Sequence, residues 1–520
     1  MNFQAKHCSH WTPVIISVLA SVGCGGGSGD GSGGGITSAA LSPSITLAQQ
    51  CDPSNPVAVS TLKTGSLDTE KRWVRSYFDE NYLWYDQVPT VNPAAAAYSG
   101  PMGSYGSFNV PLPLANYFQS LKTAQLTPSA ALLDRFSFTY NTQDWNALSQ
   151  SGQSIGYGWL LAVAASTPPR KATVAYTNPG TPSANANVAR GAQILFVDGV
   201  DYVNATSSVD RATLNAGLTP GVGTSHTFVV QDVGVAGTRT VTMTAQTVTS
   251  TPVQNVGSIA TPSGKVGYLL FNEHIASSEA LLINAINQLR TDGVTDLVLD
   301  IRYNGGGYLY VANALAFMIG GAVNLIPPTG NVFEKLVFNN KRSIDNAIGT
   351  TFFRTSACNL NNSRCAGGAP LPSLNLSRVF VLTQKGTCSA SESIINGLLG
   401  ANIDVKTVGA NTCGKPYGFS AKDNCGVSYF PIEFKGVNAK GNGDYVDGFT
   451  ASCTVADDYT KGLGDPSEGQ LSAALQLRST GSCPGGIPAK KIAAGKPSSA
   501  AESDLVLLKN PLLENRWLLP

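Results

Sequence analysis

Histidine is scarce in this chain: four in 520 residues, and only His226 and His274 lie beyond the first ten positions. With so few imidazoles and no C-x-x-C pair, a structural or catalytic zinc site has little to be built from. Charge of either sign is also lacking in excess, with 34 basic residues against 33 acidic ones. A nucleic-acid-binding face needs a basic patch, and none is visible, so nucleic acid is not an expected partner. Transmembrane segments are missing too. The apolar stretch near the start, Pro13 to Val22, is ten residues, too short to span a bilayer, and no other segment qualifies. The glycine run at 305–307 lacks G-x-G-x-x-G spacing and has no P-loop lysine, which argues against reading it as a phosphate loop.

Glycine and cysteine are present in a telling arrangement. Lys6 and the apolar stretch after it read as an export signal over residues 1–24. Cys24 follows Leu19-Ala20-Ser21-Val22-Gly23 and resembles the lipidated cysteine of bacterial lipoproteins, although Ser21 stands where such signals usually carry an aliphatic residue. Residues 25–65 then form a tether and lead-in, of which Gly25 to Gly35 holds only Gly, Ser and one Asp. Plain secretion with a glycine spacer is the alternative. The expected location is outside the cytoplasm, lipid-anchored at a bacterial outer membrane and facing the periplasm or the surface. Setting aside Cys8 and Cys24 leaves an even number of cysteines, which in an exported chain favours disulfides. Cys358 and Cys365 are close enough to close a local loop.

Residues 66–148 read as a small helical domain. An aromatic-rich helical stripe runs from Leu67 to Tyr85 through Trp73, Tyr77, Phe78 and Tyr82. A second helical stretch, Leu114 to Leu121, is followed by Leu132 to Tyr140. Residues 150–250 are β-rich. A glycine turn at Ile155-Gly156-Tyr157-Gly158 enters a strand, Arg190 to Val197 ends in an Asp198-Gly199 turn, and Ser225–Gln231 and Thr238–Thr244 form a strand pair. This order resembles a PDZ domain, with residues 155–158 as its carboxylate-binding loop. A generic small β-barrel is the competing reading.

From residue 262 to about 480 the pattern is α/β. Strands are expected at Val266–Phe271, Val294–Ile301, Arg378–Thr383 and Val405–Val408. Helices are expected at Ser278–Arg290, Tyr308–Ile319 and Ser391–Leu399, with an irregular insertion over 325–375. Repeated strand–helix–strand units imply a mostly parallel sheet. Residues 484–520 form an apolar tail of open role.

The chemistry lies in three segments of this region. Asp300-Ile301-Arg302-Tyr303-Asn304-Gly305-Gly306-Gly307 is a glycine turn after a strand. Ser389 opens Ser389-Ala390-Ser391-Glu392 at a strand-to-helix junction, and Lys415 closes Thr412-Cys413-Gly414-Lys415. A serine hydroxyl needs a base to become a nucleophile, and a lysine can serve when burial favours its neutral form. The Ala390 amide and an amide of the glycine turn, Gly306 in preference to Gly305, could stabilise an oxyanion. Ser389-x-x-Glu392 is also a capping box, so the serine could merely cap its helix. A Ser–His hydrolase using His274 is a further alternative.

Taken in this order the segments resemble the carboxyl-terminal processing (tail-specific) protease family of serine peptidases. Asp300 to Gly307 is similar to that family's Asp-Leu-Arg-x-Asn-x-Gly-Gly, Gly386 to Glu392 to its Gly-Thr-Ala-Ser-Ala-Ser-Glu, and Thr412 to Lys415 to its Thr-x-Gly-Lys. The resemblance implies a crotonase-like α/β spiral catalytic core with an inserted PDZ-like β domain. It also implies a Ser389 nucleophile, a Lys415 base, no cofactor or metal, and protein or peptide substrates captured by their C-termini. Two positions depart from it. Phe419 stands where many members carry a glutamine that orients the lysine, so a degenerate, non-catalytic binding protein is a second reading. Cysteines occupy positions 388 and 413, where relatives have small or apolar residues, and a disulfide between them is the economical reading of a paired replacement. Eight cysteines allow 105 connectivities.

Overall fold

The computed structural model describes residues 41–163, 167–325, 332–361, 364–493, 506–508 and 516–517. The export signal, Cys24 and the whole Gly25–Gly35 tether lie outside the described residues. Among those described, no helix is long and apolar enough to cross a membrane.

A six-stranded sheet organises the C-terminal half. Its order is Val253–Thr261, Gly264–Phe271, Asp296–Asp300, Arg378–Thr383, Asp404–Gly409 and Cys453–Thr454. The first pair is antiparallel and every later pair is parallel. Asp296–Asp300 is buried along its whole length, as a parallel strand covered on both faces must be. Helix Ser278–Asp292 connects two of these strands and ends on Gly293, whose φ of 71° is the left-handed conformation glycine adopts freely. Helix Leu309–Leu325 is apolar nearly all round and buried accordingly.

The N-terminal region is built into this body. Helix Leu67–Asn81 starts on Ser66, whose side chain accepts the Thr69 N–H, and carries Asp68 and Glu70 in its first turn. Trp73 stacks on Tyr77 and packs against Tyr429, far along the chain. Phe138–Asn141 is a strand, where residues 66–148 had read as helical. It pairs with Val427–Phe430, and Phe138 stacks on Phe430 with ring centroids 4.4 Å apart. A strand whose partner lies nearly 300 residues away leaves no local signal. The N-terminal helices and the strands of residues 262–480 consequently share one core. The stretch after residue 325 also departs from the irregular expectation. Val332–Phe338 pairs with Phe434–Val437 in a four-stranded sheet that includes Tyr417–Gly418.

Residues 153–249 hold a core of their own around Val174, Ile194, Phe228 and Val230. Their main sheet runs Trp159–Val163, Ala172–Thr177, Gln193–Val197, Ser225–Gln231, Arg239–Thr244, all antiparallel, with Val506–Leu508 added beside Trp159–Val163. Arg190 links this region to the parallel sheet. It donates to Asp457 Oδ1 at 2.5 Å and to the Ala175 carbonyl at 2.8 Å, and it also bonds the Tyr303 hydroxyl.

Among the described residues, four disulfides join Cys51–Cys425, Cys358–Cys365, Cys388–Cys413 and Cys453–Cys483. They use every cysteine except Cys8 and Cys24.

Candidate active site

The parallel sheet assembles the site. Asp296–Asp300, Arg378–Thr383 and Asp404–Gly409 are adjacent and parallel, so their carboxyl ends share one edge. The glycine turn follows the first of them, Ser389 follows the second and Lys415 follows the third. Open α/β sheets place their sites outside the carboxyl ends of such strands.

Ser389 is fully buried at the N-cap of helix Ala390–Gly400, with φ 59° and ψ −113°. A non-glycine residue in that region is strained by order 1–3 kcal/mol, and such strain recurs where a serine is presented on a sharp strand-to-helix turn. The turn is held from three sides. The Ser389 N–H donates to Glu392 Oε2 at 2.9 Å, the Cys388 N–H donates to the Asn304 carbonyl at 3.2 Å, and Ser391 Oγ donates to that same carbonyl at 2.9 Å. The last two tie the serine turn to the glycine turn. The Ala390 amide occupies the first helical position, where N–H groups have no partner inside the helix.

Glu392 does more than cap. Its Oε2 also accepts the Lys415 N–H at 2.8 Å, while Oε1 accepts the Gly414 N–H at 2.9 Å and Thr412 Oγ1 at 2.6 Å. Burial pushes its carboxyl above the usual range, against the pull of these donors. Because every donor points at the carboxylate oxygens, a proton there would have to displace one of them. Sequence alone had assigned this residue a capping box. That spacing explains the Ser389 contact and carries no sign of the Lys415 contact.

Lys415 is fully buried. Its Nζ lies 4.7 Å from the Phe419 ring centroid and 4.9 Å from that of Phe136. Phe419, which stands at the place of the glutamine in the resembling family, thus lines the lysine with an apolar wall. Nothing local in the Asp134-Arg135-Phe136-Ser137 segment points to this contact. The Cys388–Cys413 disulfide, with Cα atoms 5.1 Å apart, brackets Ser389 and Lys415. Cys388, Glu392 and Cys413 have potential ligand atoms within 4.8 Å of one another, but the two sulfurs are bonded together and offer no thiolate to a metal.

The glycine turn is tightly wired. The Gly306 N–H donates to Asn304 Oδ1 at 3.0 Å, and His274 Nδ1 lies 2.9 Å from that oxygen. Asn304 Nδ2 donates to the Phe271 carbonyl at 3.0 Å. The Gly306 amide is therefore engaged, and an oxyanion would have to take it from Asn304. His274 is fully buried, and burial pushes its imidazole down to about 3, so it is neutral at ordinary pH and a poor proton acceptor. Beneath the turn, the buried Arg302 meets Asp300, Asp457 and both oxygens of Glu468.

In the 155–158 loop, Ile155 is 54% exposed, whereas Tyr157 turns inward and bonds the Gly217 carbonyl at 3.1 Å. Gly158 has φ 82° and sits so close to Thr181 that a Cβ would fall 2.3 Å from it, leaving no room for a side chain.

Residues 265–422 match Peptidase family S41, and residues 69–138 match the Peptidase S41 N-terminal domain. A carboxyl-terminal-processing protease of Picosynechococcus sp. is 28% identical over 46% of this chain and 49% of its own length. One from Synechocystis sp. is 29% identical over 45% of this chain and 47% of its own. The chain thus spans about half the length of these relatives. A crystal structure assigned to the S41 proteases, from Bacteroides fragilis NCTC 9343, superimposes with a TM-score of 0.57 at 23% identity. That superposition covers 78% of this chain and 97% of the other.

Proposed function

Because this chain belongs to peptidase family S41, the carboxyl-terminal processing proteases, we propose that it is a serine endopeptidase of the tail-specific type. Ser389 is the nucleophile and Lys415 its base. The observation that carries this reading is the one Glu392 oxygen that accepts both the Ser389 and the Lys415 N–H, on turns aligned by adjacent parallel strands.

In the proposed reaction Ser389 Oγ adds to the scissile carbonyl while the neutral Lys415 amine takes the hydroxyl proton. The resulting oxyanion is met by the Ala390 N–H and by the Gly306 N–H, which exchanges Asn304 Oδ1 for it. Lys415 then protonates the leaving amine, and an acyl-enzyme remains. Water, deprotonated by the same lysine, releases the acid and restores Ser389. Complete burial of both Ser389 and Lys415 supports the role, since it keeps bulk water from competing for the transferred proton. The catalytic region is read as a crotonase-like spiral. Residues 150–250 are read as a PDZ-like module that captures a substrate's carboxyl terminus by strand addition beside Trp159–Val163, near the 155–158 loop. Export and anchoring through a lipidated Cys24 complete the reading. Four disulfides support an oxidising compartment.

A non-catalytic peptide-binding protein on the same fold is the second reading, favoured by one observation: Phe419 gives Lys415 an apolar wall where relatives place an orienting amide. Cleavage of an unfolded model protein by the purified chain separates the two. Ser389→Ala and Lys415→Ala should each reduce hydrolysis to background, because loss of either half of such a pair costs nearly as much as loss of both. His274→Ala should remain active. An active Lys415→Ala chain would sink the assignment.

A further inference from the structure

The strand Trp159–Val163 would be the edge of its sheet were it not for residues 506–508. Val506 pairs with Val163, Leu507 with Ala162 and Leu508 with Leu161, in antiparallel register. The added segment therefore runs toward Trp159 and the 155–158 glycine loop. A second piece of the same tail pairs elsewhere. Arg516 and Trp517 lie parallel to Gly307, the last residue of the glycine turn, and to Tyr308 after it. They also lie next to Tyr417–Gly418, which begins two residues after Lys415. Residues 506–508 thus occupy the edge proposed for peptide capture, and residues 516–517 lie beside both the glycine turn and the segment after Lys415.

We propose that the chain's own C-terminal segment is a resident ligand of this track, holding the substrate-binding edges in cis and excluding peptides added in trans. The proposal rests on the peptidase reading for the meaning of the track, and on the two backbone pairings for its occupancy. Strand addition gives affinity through main-chain hydrogen bonds, so any extended segment of suitable direction can occupy such an edge. A tethered segment has an effective concentration of about 1 mM for a short flexible link. Against a segment whose intrinsic dissociation constant is roughly 0.1 mM, that weakens a competing peptide about tenfold. An exposed edge strand invites pairing with other chains, and a resident strand also blocks that.

The test uses the full chain carrying Ser389→Ala, so that no hydrolysis enters the readout. A fluorescent peptide with the sequence of residues 503–520 is titrated against this protein. It is also titrated against one further changed at Val506→Pro, Leu507→Pro, Arg516→Pro and Trp517→Pro. Consecutive prolines remove an N–H from either phase of each ladder. The proline chain should bind the peptide about tenfold more tightly or better. Equal affinity for both chains, or no binding to the proline chain, overturns the proposal. A measurement independent of how the proline chain folds is the Ala162→Cys, Leu507→Cys pair, whose residues face each other in the register. Peptide mapping under non-reducing conditions should show 162 linked to 507 within one molecule, and the absence of that link overturns the proposal. Failure of the Ser389/Lys415 assignment would appear only in hydrolysis assays and would leave both results unchanged.

Discussion

Cys388 and Cys413 are joined by a disulfide with Cα atoms 5.1 Å apart, so the residue preceding Ser389 is bonded to the segment that ends at Lys415. The Cys413 N–H also donates to the Thr387 carbonyl at 3.0 Å, so backbone and sulfur both lash the two turns together. Closing a loop with a sequence separation of 25 restricts the unfolded chain by about 3 kcal/mol in the entropic account. A Cys388→Ala, Cys413→Ala chain should therefore lose roughly 2–4 kcal/mol of unfolding free energy. On the proposed Ser389/Lys415 reading it should also lose more in kcat than in KM, because the bond would then position the reacting groups. Denaturant titration and steady-state kinetics check both, and an unchanged kcat would show that the bond only stabilises.

The carboxylate of Glu392 is the other tie, and it works through hydrogen bonds. Glu392→Gln keeps the size of the side chain but turns an NH2 group toward an array of donors from Ser389, Thr412, Gly414 and Lys415. Hydrogen bonds to a charged group contribute about 1.5–3 kcal/mol each, and a buried donor left without an acceptor adds a further penalty. The expected outcome is a kcat lower by about ten- to a hundredfold with KM nearly unchanged. Glu392→Asp should recover part of the loss, since it restores the charge. If the Gln chain has wild-type kcat, the carboxylate is a helix cap and nothing more.

Much of this region was legible in the sequence for a simple reason. The strand Arg378–Thr383 was expected with the bounds it has, and helix Ser391–Leu399 was expected within one residue at each end, because an apolar run and a 3.6-residue period are local signals. The order strand–Gly turn, strand–Ser, strand–Lys was readable for the same reason, and parallel pairing converts that order into proximity. Partners brought in by distant pairing were hidden. Phe136 reaches Lys415 because the following Phe138–Asn141 pairs with Val427–Phe430, and Asp457 reaches Arg302 across more than 150 residues. No periodicity records such contacts.

Asp457 marks the joint between residues 153–249 and the parallel sheet. It accepts from Arg190 and Arg302 and bonds the Tyr303 hydroxyl, one residue before Asn304. Both arginines hold its carboxyl below the ordinary range, in spite of burial. Removing one member of a buried ion-pair cluster costs about 3–5 kcal/mol, since the remaining charges stay buried. Asp457→Asn should accordingly destabilise the chain by an amount of that order, and hydrogen exchange in the glycine turn should quicken with it. A Tm within 2 °C of wild type would show that water or another group compensates.

His274 supplies the pH prediction. Its imidazole is pushed down from 6.5 to about 3 by complete burial, so the folded chain holds it neutral while the unfolded chain protonates it near 6.5. Between those values the unfolded state binds more protons, and stability must fall as pH is lowered from about 6.5 toward 3. The full shift corresponds to roughly 5 kcal/mol, at 1.36 kcal/mol per pH unit. Glu70 works in the opposite direction, because burial raises its carboxyl from 4.5 to about 7 and favours the folded state at the acid end of that window. Comparison of the wild-type chain with His274→Gln isolates the imidazole from such background. The glutamine can still meet Asn304 Oδ1 with its amide, and it does not titrate. Unfolding free energies measured in denaturant at steps from pH 7 to pH 4 should decline more steeply for wild type, by up to about 1.4 kcal/mol per unit. Parallel slopes for the two proteins would mean that His274 is protonated in the folded state, and its place beneath the glycine turn would need a charged partner that the neutral reading does not contain.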